Sequence, residues 1–214
     1  MKKSWWLVAA GGLVTSLLWS SPAFAVGLGA FIDVSGGSGE IEWDFDNYSE
    51  DIDVTAGALG FVLDTSPTNQ SSFNYRLNIG LASQDFEYEY YVDTIEATGI
   101  YFENIFGFAL INDYNFRWWL GPLIRLGFFS GDIEPSYPGE DLEVDYAEFG
   151  IGAVTGINFN AGGVILSPSV GFRLTGFAGT GDFVYRDSFG TYYSYEDDFE
   201  GHTTTVFANF AVLF

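Results

Sequence analysis

From Val26 to the last residue, apolar side chains alternate with small or polar ones at a period of two, the pattern of strands with two unlike faces. The clearest stretch sets Phe116, Trp118, Leu120, Ile124, Leu126 and Phe128 against Arg117, Trp119, Gly121, Arg125 and Gly127. A second sets Phe73 to Leu81 in steps of two against Asn74, Arg76, Asn78 and Gly80. Three more follow, around 148–159, 164–174 and 205–214. Weaker alternation covers 27–34, 52–63 and 95–111, where Asn104 interrupts an apolar row of phenylalanines. The pattern predicts eight strands. Short, turn-forming stretches (64–72, 112–115 and 160–163) alternate with longer ones (36–51, 84–94, 130–145 and 179–200), which are expected to be loops.

Alternation does not say which face is outside, and a soluble sandwich would read the same way. Two features favour a closed transmembrane barrel. The faces opposite the apolar rows carry Gly, Ser, Asn and isolated charges, which suit a cramped lumen better than a wetted surface. Connections that alternate short and long are the expected asymmetry of a membrane barrel, as is an even strand count. The fold class is therefore all-β, an antiparallel transmembrane β-barrel of eight strands. Pro122 and Pro168 fall mid-strand, where each loses a ladder hydrogen bond, so a bulge or local irregularity is expected at both.

The first residues have the layout of a secretory signal peptide. Lys2 and Lys3 precede an apolar stretch from Trp5 to Leu18, and Ala23-Phe24-Ala25 follows Pro22 as a small-x-small cleavage site. That reading divides the chain into a signal peptide, 1–25, and a barrel domain, 26–214. An uncleaved anchor helix accounts less well for the cleavage site. The chain has no Cys, which leaves no disulfide or thiol chemistry. Its formal net charge is −22, and beyond residue 25 its only basic side chains besides His202 are Arg76, Arg117, Arg125, Arg173 and Arg186. Such an acidic chain is not a nucleic-acid binder.

The chain closes on Phe207-Ala208-Asn209-Phe210-Ala211-Val212-Leu213-Phe214. With Phe210, Val212 and Phe214 on one face, this resembles the C-terminal signal of bacterial outer-membrane barrels, and that resemblance implies the barrel-assembly machinery as a partner. In organisation the whole stretch after residue 25 resembles the small barrels of the OmpX, OmpA-barrel and OmpW type. The resemblance implies an outer-membrane location. It carries over no functional residue, because no family-specific functional motif is matched.

Parity directs Arg76, Arg117, Arg125, Arg173, Asp33, Glu103 and Glu148 into the lumen. Eight strands leave an interior just wide enough for side chains to fill, so an ion-paired plug is expected over a narrow solute path. Of the 29 acidic residues, 23 fall in 40–53, 85–93, 132–145 and 182–200, in or beside the four longer stretches. Facing lipopolysaccharide phosphates, they would repel unless divalent cations bridge them. Clusters such as Glu140-Asp141-x-Glu143-x-Asp145 offer hard oxygen ligands, but none has the calcium-loop spacing. A solvated charged surface explains them more simply than a metal site. Tyr192, Tyr193 and Tyr195 fall in the last long stretch, where they suit either an aromatic girdle or an interaction surface. His202, the only histidine, is followed by three threonines and belongs to no acid–base–nucleophile constellation. The sequence thus leads to a non-enzymatic protein without cofactor, with a structural or surface-interaction role through acidic, Tyr-rich loops. A conduit or binding site for small or apolar solutes is the second expectation, and a lipid-modifying enzyme centred on His202 the third.

Overall fold

The computed structural model describes residues 26–44, 48–67, 71–88, 94–113, 115–133, 140–186 and 192–214. The expected signal peptide, 1–25, lies outside the described residues. Eight antiparallel strands form one closed barrel: β1 (Gly27–Trp43), β2 (Tyr48–Asp64), β3 (Phe73–Tyr88), β4 (Thr94–Asn112), β5 (Phe116–Ile133), β6 (Glu140–Asn160), β7 (Ile165–Arg186) and β8 (Tyr192–Leu213). Each strand pairs with its sequence neighbours, and β1 closes the ring on β8 from Gly29–Leu213 to Trp43–Phe199.

One end of the barrel carries the short turns. There Asn160 accepts hydrogen bonds from the amides of Gly162 and Gly163, both at positive φ, which glycine adopts without strain. The other end carries the four hairpin tips. The strands are 16 to 22 residues long, whereas about 10 tilted residues cross a bilayer. The excess lies at the hairpin-tip end. Most of what the sequence pattern assigned to long loops is therefore strand: 36–43, 48–51, 84–88, 130–133, 140–145, 179–186 and 192–200. Tyr192, Tyr193 and Tyr195 accordingly stand in β8, not mid-loop, paired to Arg186, Tyr185 and Phe183 of β7.

The reason is an inversion of polarity along the strands. Near the short turns the outward positions are apolar, as with Leu28, Ile32 and Val34 of β1, while Asp33 points in and is buried. Further along the same strand Ile41 and Trp43 point in and Glu40 and Glu42 point out. The switch recurs in β2, where Leu59 and Phe61 face out but Ile52 and Val54 are buried and alternate with exposed Asp51 and Asp53. It recurs in β8, from outward Val206 and Phe210 to inward Phe199. An unbroken strand whose apolar parity flips reads in sequence as the end of a strand. The lower barrel is thus apolar outside, suited to hydrocarbon, and holds the charged residues inside together with a small apolar cluster of Ile105, Trp119, Leu123, Val154 and Phe207. The upper barrel is the reverse, like a water-soluble barrel.

The outward belt contains Phe61 at 76% and Val206 at 67% exposure. A continuous apolar band of this kind is unfavourable in water but is what a bilayer requires. The upper interior instead packs Ile41, Trp43, Ile52, Val54, Phe86, Ile95, Phe129, Val144, Phe177 and Phe199 into one core. Within the belt, Asn104 is satisfied by the Tyr75 hydroxyl, which donates to its Oδ1 at 2.6 Å. The two prolines do disturb the ladder. Pairing of β4 with β5 stops between Ile105–Leu123 and Phe108–Leu120, opposite Pro122, and pairing of β6 with β7 stops between Gly156–Ser169 and Phe159–Leu166, opposite Pro168. Register is unchanged across each gap. The register shift falls elsewhere, between Ala109 and Ile111 of β4.

Candidate functional site: the lumen network and the acidic upper wall

The seven charged residues assigned to the lumen all point inward and are buried. They form three tiers. In the tier next to the short turns, Arg76 donates from Nε and Nη2 to Asp64 Oδ2 at 3.0 and 2.9 Å, and from Nη2 to Ser167 Oγ at 2.8 Å. Asn158 Oδ1 accepts from the Ser167 hydroxyl and from Trp119 Nε1, at 2.7 and 3.0 Å. Arg117 donates from Nη1 to the Ser66 carbonyl at 2.6 Å and from Nη2 to Asn74 Oδ1 at 3.1 Å. Asn74 Nδ2 completes the ring to Asp64.

In the middle tier Arg173 spans two carboxylates. Its Nη1 and Nη2 donate to the two Asp33 oxygens at 3.2 and 3.0 Å, and its Nε donates to Glu103 Oε2 at 2.9 Å. Glu103 also accepts from Asn78 Nδ2 at 3.1 Å. The guanidinium lies 3.7 Å from the centroid of the Phe207 ring, a cation–π contact that fills the remaining face. In the third tier Arg125 pairs with Glu148, which accepts from Gln84 Nε2 at 3.1 Å, and Gln84 Oε1 accepts from the Tyr146 hydroxyl at 3.0 Å. Arg125 lies over the Tyr101 ring at 3.8 Å.

Four buried arginines thus face four buried carboxylates, Asp33, Asp64, Glu103 and Glu148, so the network carries no formal net charge. Buried charges require this pairing, because each alone would be costly to desolvate. Asp64 escaped the sequence reading, which placed it at the start of a turn. Its parity with Val62, inward and buried, could have found it. Asn74, Asn158, Ser167, Gln84 and Tyr101 were also missed, because neutral polar residues on a lumen face announce no partner. Arg76 Nη1, Asn78 Oδ1, Tyr101 OH and Arg117 Nε have no hydrogen-bond partner among the described residues.

On the outer wall beyond the belt, six carboxylates stand directly opposite one another across six strands. Asp85 pairs with Glu96, Glu96 with Asp132, Asp132 with Glu143, Glu143 with Asp182, and Asp182 with Glu196. Strand alternation splits the sequence clusters: Glu196, Asp198 and Glu200 share the outward face, and Asp197 takes the other. The side chains of Glu140 and Asp141 lie outside the described residues. Among the described residues no three His, Asp or Glu side chains converge as metal ligands. Tyr195 stacks on Phe183 at 4.6 Å, and Phe183 packs edge-on to Trp43, so this tyrosine extends the upper core towards the barrel mouth. Tyr193 is exposed beside it. His202 faces outward next to Glu40 of β1 and Gly176 of β7. Phe210, Val212 and Phe214 share the lipid-facing row, and the Phe214 amide donates to the Leu28 carbonyl at 2.8 Å.

No family model matches the chain, and no curated protein matches it in sequence. Among solved structures it resembles the outer-membrane protein OprG from Pseudomonas aeruginosa, with a TM-score of 0.55 and 10% identity over 87% of this chain and 96% of that one. Two weaker likenesses are the outer-membrane protease OmpT from Escherichia coli and the translocator domain of the autotransporter NalP from Neisseria meningitidis. Their TM-scores are 0.41 and 0.36, at 9% and 10% identity, covering 91% and 95% of this chain and 99% and 94% of theirs. By its closed ring of eight strands and its lipid-suited belt, the chain has the fold of a bacterial outer-membrane β-barrel.

Proposed function

We propose that the chain sits in the bacterial outer membrane as a non-enzymatic structural or surface-interaction protein. The observation that carries this reading is the upper barrel, whose interior is an apolar core and whose outer wall is a cross-strand row of carboxylates. Directly opposed like charges destabilise a sheet, so the six-carboxylate row costs the isolated fold stability and favours cationic surroundings. Divalent cations bridging these carboxylates to lipopolysaccharide phosphates are the partners that best fit an anionic wall beside an anionic leaflet. The OmpX, OmpA-barrel and OmpW organisation is the finer family reading that accompanies this proposal. The test replaces Asp85, Glu96, Asp132, Glu143, Asp182 and Glu196 together by their amides. A variant that folds and inserts normally, yet leaves envelope permeability, surface adhesion and lipopolysaccharide binding unchanged, overturns the proposal.

A conduit for small or apolar solutes is the second reading, favoured by the ladder gaps opposite Pro122 and Pro168. Substituting Val for both prolines would then lower solute uptake while leaving the buried ion pairs in place. Unchanged uptake removes that reading.

A further inference from the structure

A groove of about 700 Å³ lies on the outer wall and meets the lumen network only at Glu148, whose carboxylate is turned inward to Arg125. It lies where the apolar belt gives way to the acidic wall. Two cross-strand rows define it. One runs Phe128, Ala147, Ala178, Glu200, Glu42, and the other Phe149, Gly176, His202, Glu40. Each row therefore starts on a phenylalanine of the lipid belt and ends on a carboxylate beyond it. All these side chains face outward and are exposed.

The floor is small without a backbone reason. A Cβ at Gly176 would meet nothing closer than the Gly201 carbonyl oxygen, at 3.9 Å, so any side chain there would stand in the groove instead of against the sheet. Ala178 continues the same shallow floor. Among the described residues no Lys or Arg lines the groove, whereas the outward-facing Glu40, Glu42 and Glu200 do. An anionic head would be repelled at that end, and a head bearing an ammonium would be attracted. A free cation would leave the apolar half unused, and a soluble peptide would have to reach into the hydrocarbon belt.

We infer that this groove binds one lipid molecule carrying an ammonium head, with its chain along Phe128 and Phe149 and its head against Glu40, Glu42 and Glu200. The occupant differs from the lipopolysaccharide phosphates considered above, and so does its side-chain set.

The test uses the folded barrel in micelles of an uncharged maltoside detergent doped with stearylamine or, at equal mole fraction, phosphatidylglycerol, with bound lipid counted by native mass spectrometry. One stearylamine per barrel is expected, with no retained phosphatidylglycerol. The Glu40→Gln/Glu200→Gln variant should retain about tenfold less, since each interfacial charge contributes appreciably to lipid attraction. Gly176→Phe, which fills the floor, should do the same while its gel mobility still shifts on heating as a folded barrel does. Glu96→Gln/Asp132→Gln, altered in the carboxylate row outside the groove, should retain stearylamine as the parent does. Equal retention of both lipids, no retention, or an equal loss in the Glu96/Asp132 variant would each overturn the inference.

Discussion

Arg173 and Asp33, 140 residues apart in sequence, meet inside the barrel through two hydrogen bonds of 3.2 and 3.0 Å. Only ring closure brings them within reach, because β7 and β1 are both neighbours of β8. The same guanidinium holds Glu103 from the opposite side, so one arginine ties β1, β4 and β7 together across the lumen.

Removing that cation while keeping both carboxylates is expected to be the most damaging single lumen change. Arg173→Met should destabilise the folded barrel by roughly 3–5 kcal/mol, the usual cost of breaking a buried ion pair from one side. Adding Asp33→Asn and Glu103→Gln to it should recover part of the loss. Urea unfolding in lipid vesicles, followed by tryptophan fluorescence, measures both. A single variant as stable as the parent would show that water reaches the middle tier.

The paired network also predicts electrical silence. Planar-bilayer recording of the parent should show no steady conductance, and Glu103→Gln should not open the barrel, because Arg173 retains Asp33 and Phe207. Steady channels in the parent protein would show that the three tiers do not close the lumen.

Position along β7 should decide the effect of a positive charge on its outward face. Phe172→Arg, in the lipid belt, should cost about 2–4 kcal/mol if it sits near the bilayer midplane. Asp182→Arg, on the same strand and face but beyond the belt, should be neutral or stabilising, because it separates Glu143 from Glu196 in the carboxylate row. Comparable losses at both sites would refute the assigned membrane boundary.

Gly156 lies beneath the Trp119 ring, and a Cβ there would overlap it. Gly156→Val should therefore displace Trp119 from Asn158 and loosen the tier next to the short turns, costing on the order of 1–3 kcal/mol as overpacking does. A blue-shifted, unquenched tryptophan spectrum identical to that of the parent would count against this packing.

The carboxylate row should make stability salt-dependent. Its charges lie outside the belt, where screening is effective, so raising salt from about 0.01 M to about 0.15 M shortens the Debye length from about 30 to about 8 Å and should stabilise the barrel. The six-amide variant should lose this dependence. A parent insensitive to salt would mean that the row is already neutralised by bound partners.

Period-two alternation was enough to define the lower barrel, because which face a strand residue takes is a local property. It fixed the lipid row Phe116 to Phe128, the inward arginines and carboxylates, and the short turns. It failed on the upper barrel for a physical reason. Where Ile41, Trp43, Ile52 and Val54 turn inward, the strand continues but its apolar parity reverses, and a local pattern cannot tell a reversed strand from a loop. Partners lay further out of reach. Asp64 looked like turn chemistry until the β2–β3 register set it opposite Arg76, and the row from Asp85 to Glu196 exists only in the register of six strands. The sequence by itself determined which residues face lipid and which face the lumen near the short turns. Only the tertiary structure decided who pairs with whom, because register and ring closure are non-local and set by all eight strands at once.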